Sequence, residues 1–106
     1  MAAPEKIAME NVNKPGRVVN VDADKYWAVR NAIVAVLPST APGLTILALK
    51  EAVRPLIPEA LFPGGFKAGW WVMGLQLDLR AKRVLIAEDS KPMRLHLART
   101  DPQVPA

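Results

Sequence analysis

The chain has 106 residues, 51% of them hydrophobic and 23% charged, with ten prolines and no cysteine. One domain of this length buries a real core, the apolar share excludes disorder throughout, and the missing cysteines exclude disulfides, thiol nucleophiles, zinc ribbons and iron–sulfur ligation. The net charge of +4 is uneven: residues 1–78 carry eight basic and seven acidic side chains, whereas residues 79–99 carry six basic and two acidic ones. With one histidine, His96, no multi-histidine metal site is expected, and no cofactor is implied.

No apolar run nears the 18 or so residues of a membrane-spanning helix, so no membrane partner is expected. The first residues, MAAPEKIAMENVNK, hold no apolar stretch of the kind a cleaved secretion signal needs, and the expectation is a cytoplasmic protein.

Residues 1–21 read as a β-hairpin or as an extended arm. Lys6 to Val12 forms the first limb, Asn13-Lys14-Pro15-Gly16 is turn chemistry, and Arg17 to Val21 is rich in β-branched residues. Asp22 is an N-cap for a helix running to about Leu37, before Pro38. Tyr26, Val29, Ile33, Val36 and Leu37 form its apolar face.

After a loop at Pro38 to Gly43, Leu44 suits a one-rung strand and Thr45 caps a second helix. Ile46, Leu49, Val53 and Leu56 make its inner stripe, with Lys50, Glu51 and Arg54 outside, and Pro55 must kink or end it. Glu59 to Phe62, between Pro58 and Pro63, reads as a single helical turn or an irregular link.

A third helix is expected from about Phe66 to Lys82. Ala68, Trp71, Val72, Leu75 and Leu79 define one face, and Phe66, Trp70, Met73 and Leu77 an almost opposite one. A surface helix carries one apolar stripe, so the second must be covered by another element or by a partner. Val84 to Glu88 and Met93 to Arg99 are strands around an Asp89-Ser90-Lys91-Pro92 turn, and residues 100–106 read as a disordered tail. Along the last strand Met93, Leu95 and Leu97 alternate with Arg94, His96 and Ala98, which puts His96 on the wet face as an ordinary surface histidine.

Helix, short strand, helix, helix and two-stranded hairpin is the order of a winged helix-turn-helix domain, and residues 22–99 resemble one. Leu75, Leu77, Asp78, Leu79, Arg80, Ala81, Lys82 and Arg83 look like the end of its third helix, and Val84-Leu85-Ile86 like the first wing strand. The whole chain, including ENVNKPGRV at 10–18 and LFPGGFKAGWW at 61–71, is also similar to small uncharacterised bacterial proteins. The fold expected is therefore α+β and winged-helix-like, with three helices, a C-terminal wing and an N-terminal hairpin or arm.

The resemblance implies binding of double-stranded DNA. Two departures bear on it: the Ile57 to Gly65 link is longer than that of a helix-turn-helix, and the outer face of the third helix offers Trp70, Met73 and Leu77 where base-edge donors belong. Arg80, Lys82, Arg83, Lys91, Arg94 and Arg99 are the candidate phosphate-contacting residues, although Lys82 and Arg83 equally suit a solvated helix C-terminus. Phe66, Trp70, Met73 and Leu77 are the candidate partner face, with a homodimer as the simplest partner and core packing under residues 1–21 as the other reading.

Gly64, Gly65, Lys67 and Gly69 precede a helix where amides can hold an anion, but PGGFKAG lacks the ending of a phosphate loop. No nucleophile elbow or paired-carboxylate pattern is present, so catalysis is not expected. DNA binding with weak sequence preference and a protein-interaction module are the two functions the sequence supports.

Overall fold

A computed structural model of the chain describes residues 5–98. It is α+β: the strands β1 (Lys6–Glu10) and β2 (Val18–Asp22) form an antiparallel hairpin, followed by helix α1 (Ala23–Val36), strand β3 (Leu44–Thr45), helix α2 (Ile46–Val53), helix α3 (Ala68–Ala81) and strands β4 (Leu85–Glu88) and β5 (Arg94–Leu97). A three-stranded antiparallel sheet runs in the order β3-β5-β4.

The hairpin is present. Its register pairs Glu10 with Val18, so the turn is wider than Asn13 to Gly16, and Asn11 closes it by accepting the Lys14 and Asn13 amides through its carbonyl and side-chain oxygens. Asp22 ends β2 and caps α1 at once, accepting the Lys25 amide at 3.1 Å. Thr45 does the same for α2, accepting the Ala48 amide at 3.1 Å.

One core joins these elements. Tyr26, Val29 and Ile33 of α1, Leu49 and Val53 of α2, and Trp71, Val72, Leu75 and Leu79 of α3 meet Leu85 and Leu95 of the sheet and Met9 and Val21 of the hairpin. Each fully buried aliphatic side chain contributes roughly 1.5–3 kcal/mol relative to an exposed one.

Three expectations need correction, and one core residue carried no expectation. Leu56 is 48% exposed because α2 ends at Val53 and Arg54–Leu56 forms a 3₁₀ turn around Pro55, which rotates Leu56 off the inner stripe. Helix α3 begins at Ala68, since Phe66 is extended and Lys67 left-handed at φ 63°, so Phe66 precedes the helix. Phe62, in the link between α2 and α3, is a core residue and meets Trp71 edge-to-face. His96 is buried at 8% exposure, contrary to the surface placement: Nε2 lies 2.8 Å from Glu88 Oε2 across the β4–β5 pair and Nδ1 3.1 Å from the Leu97 carbonyl. The tail at 100–106 and Arg99 lie outside the described residues.

Gly43 sets the approach of β3 to β5. Its φ is +82°, and a Cβ there would fall on the Leu95 carbonyl, while its own carbonyl accepts the Arg94 guanidinium at 2.9 Å. Gly64, at φ +64°, has open space where a Cβ would stand. We expect Gly64→Ala to cost about 1–2 kcal/mol, the left-handed penalty alone. Gly43→Ala should exceed that by at least about 1 kcal/mol from the backbone collision, as measured by urea unfolding of both variants.

Candidate functional site

Helix α3 organises the candidate sites because its faces meet different surroundings. The first is an ion-pair cluster at its C-terminal end. Asp78 is fully buried, and its carboxylate accepts the Tyr26 hydroxyl at 2.6 Å, the Lys82 ammonium at 2.7 Å and the Glu10 amide at 2.8 Å. Lys82 also donates to the Tyr26 oxygen at 3.1 Å and the Ala8 carbonyl at 3.4 Å, and it sits 5.2 Å over the Tyr26 ring. One carboxylate thus ties β1, α1 and the end of α3 together, with its lone pairs satisfied as a buried charge requires.

Burial, then the hydrogen bond to Asp78, raise the Tyr26 hydroxyl above the ordinary tyrosine value, against the opposing pull of Lys82. Burial works to lower Lys82, but its hydrogen bonds to Asp78 and Tyr26 outweigh that and hold it above the ordinary lysine value.

The second site is the outer side of α3. The hairpin folds over one flank only. The Met9 methyl lies 3.0 Å from where a Gly74 Cβ would stand, and the Val12 amide donates to the Leu77 carbonyl at 3.3 Å. Leu77 is consequently half-buried. Farther along, Phe66, Trp70 and Met73 remain 69%, 57% and 37% exposed, with Trp70 edge-on to buried Trp71 at 5.6 Å between centroids. The structure therefore brings Trp70 and Met73 to one open helix face, with Phe66 just before it.

The basic residues are dispersed in their contacts. Lys82 belongs to the Asp78 cluster, Arg80 donates to buried Gln76 at 3.3 Å, and Arg94 donates to the Gly43 carbonyl. Arg83, left-handed at φ 62°, and Lys91 at the β4–β5 turn are exposed. Among the described residues these two form no ion pair within 4.0 Å.

The third site is a cleft of about 470 Å³ between α2 and the start of α3, bordered by Gly64, Gly65 and Gly69. Lys67 is turned away from it, its ammonium 5.4 Å over the Phe66 ring. Sequence reasoning assigned no role to Lys50, which lines the cleft, nor to Asp78 as an anchor. The available signal for Asp78 was one acid placed four residues before Lys82, where i,i+4 pairing is expected. Among the described residues, no three His, Asp or Glu side chains gather as a metal site, and no helix is long and apolar enough to cross a membrane.

The sequence profile of a family of unknown function, DUF6958, matches residues 6–95, and the chain belongs to that family. The match starts at the first residue of β1, so the hairpin is part of the family's unit, and it runs through Leu95 of β5. No curated protein and no solved structure matches the chain.

The Asp78 cluster generates a stability prediction. Both Tyr26 and Lys82 hold their protons more tightly folded than unfolded, so between their unfolded and folded pKa values the native state binds the extra proton. Their contribution is therefore complete below pH 10.0, the ordinary tyrosine value, and declines as pH rises through the raised folded values. We expect Asp78→Ala to cost about 2–4 kcal/mol at neutral pH, because it strands a buried hydroxyl and a cation. Tyr26→Phe should shallow the alkaline fall in stability. Chemical denaturation at pH 7 and from pH 9 upward checks both.

Proposed function

We propose that the protein is a cytoplasmic interaction module that pairs with a second copy of itself through the open face at α3, without catalysis. The observation that carries this reading is the continued exposure of Phe66, Trp70 and Met73 after the hairpin has folded onto the adjacent flank. Aromatic and methionine side chains concentrate in interface cores, where their burial supplies most of the binding energy.

A second copy suits the face because the face is apolar, and pairing must outweigh the charge of the whole chain. Two chains of net charge +4 repel at a distance. Next to the patch, the Lys67 ammonium is drawn over its own Phe66 ring. A two-fold axis across α3 sets an apolar stripe against its copy. So small a patch supports a weak dimer, dissociating at about 10–100 μM.

A second reading is a winged-helix regulator holding duplex DNA with weak sequence preference. It is favoured by the order α1, β3, α2, α3, β4, β5 and by exposed Arg83 and Lys91. It ranks below the first because Arg80, Lys82 and Arg94 are engaged internally, and the helix face for a major groove offers apolar side chains.

Sedimentation across a concentration series separates these readings. We expect a reversible dimer that is largely indifferent to salt, and a monomer with unchanged circular dichroism in Trp70→Asp. A wild type that stays monomeric, or a Trp70→Asp variant that unfolds, contradicts the pairing. Duplex binding that is reversed by salt and lost in Arg83→Glu would favour the regulator.

A further inference from the structure

The cleft between α2 and α3 combines charged side chains with an apolar floor. Its volume of about 470 Å³ falls within the usual range of ligand pockets. Its floor is apolar: Val53, Phe62 and Val72 are buried core residues, and Ile57 packs against them from the link. Gly64, Gly65 and Gly69 border it without side chains, so nothing from these positions fills the space.

Three charged side chains line the cleft: Lys50, Arg54 and Glu59. Two of them are already engaged. Arg54 pairs with Glu51 at 3.3 Å on the exposed side of α2, and Glu59 accepts the Gly64 amide at 2.9 Å, which holds the glycine turn against the link. Lys50 is different. It is half-buried, and its Cδ, Cε and Nζ atoms all lie 3.9 Å from where a Gly69 Cβ would stand, so its stem crosses the glycine. Among the described residues it has no carboxylate within 4.0 Å and makes no side-chain hydrogen bond.

An ammonium held beside an apolar floor, with its charge uncompensated, is complemented by an anion whose body covers that floor. Glu51 offsets Arg54 and the Gly64 amide holds Glu59 at the glycine turn, which leaves Lys50 as the cation of the lining without a carboxylate partner and favours one carboxylate per ligand over a polyanion.

We infer that this cleft binds a small organic monocarboxylate, its carboxylate on the Lys50 ammonium and its apolar body over Val53, Ile57, Phe62 and Val72. The site shares no residue with the Phe66, Trp70 and Met73 face, so it stands or falls independently of self-pairing.

The test is an NMR titration of the full chain with acetate, phenylacetate and 4-phenylbutyrate, with phenylacetamide as the neutral counterpart of the second. Saturable shifts are expected at the Gly64, Gly65 and Gly69 amides with the two aryl acids, and none at Gly16 in the hairpin turn. Phenylacetamide and acetate should bind at least about tenfold more weakly, since each lacks one half of the recognition. Lys50→Met should weaken phenylacetate about tenfold and Lys50→Arg should largely restore it. Two results overturn the inference: no saturable shift with any acid up to about 10 mM, or equal binding of phenylacetamide or of the Lys50→Met variant. Lys50 is on the helix surface and Met is a good helix former, so the variant is expected to fold, as unchanged glycine amide positions before titration would verify.

Discussion

The buried carboxylate of Asp78 is the contact on which the arrangement of this small protein depends. A charge removed from water is tolerated only when its lone pairs are filled, and here an amide of β1, a hydroxyl of α1 and the ammonium of Lys82, just past the end of α3, fill them. Those three donors come from chain segments far apart in sequence. The hairpin adds only Met9 and Val21 to the buried core, so its two short strands have little apolar area of their own to hold them. Docking through Glu10 and Lys82 supplies the geometric specificity that such limited burial lacks.

That anchoring decides how α3 is shared. Because β1 is fixed at Asp78, Met9 falls over Gly74 and Val12 reaches Leu77, which covers the C-terminal half of the second apolar stripe. The strand then runs on toward α1, where the Glu5 carbonyl accepts the Ala23 amide, and away from the start of α3. Trp70 and Met73 are left beyond its edge. The two readings of the stripe, core and partner face, thus each describe part of it, with the division falling between Met73 and Leu77. The same anchoring takes Lys82 out of the basic cluster, so the charge skew of the last fifth of the chain overstates the cations available to a polyanion.

Local chemistry made much of the fold legible. Asp22 and Thr45 each precede an apolar helical stripe and each accepts an N-terminal amide as a cap should. The strand at Leu44 follows from its position between Gly43 and that cap, although Thr45 adds a second rung to it. What stayed hidden depends on tertiary neighbours. Alternation along β5 assigned His96 to solvent, yet Glu88 on the paired strand turns the ring inward and satisfies it, so the two-residue period fails where a polar pair closes over the sheet. Phe62 lies between two prolines in a segment with no periodicity, and only the folded link shows that it packs on Trp71. The cleft is likewise unreadable in sequence: Lys50 looks like any outward lysine of an amphipathic helix until Gly69 of another helix is placed beneath it.

The most direct examination of this account is fluorine NMR of protein labelled with 5-fluorotryptophan, recorded over a dilution series. Its three tryptophans occupy three distinct settings: Trp71 buried in the core, Trp27 exposed on α1 and Trp70 on the open face of α3. The account predicts that the Trp70 resonance alone moves with concentration and loses its solvent isotope shift as copies pair. A Trp70 resonance that is already insensitive to solvent at the lowest concentration, or a Trp27 resonance that moves in its place, would contradict it.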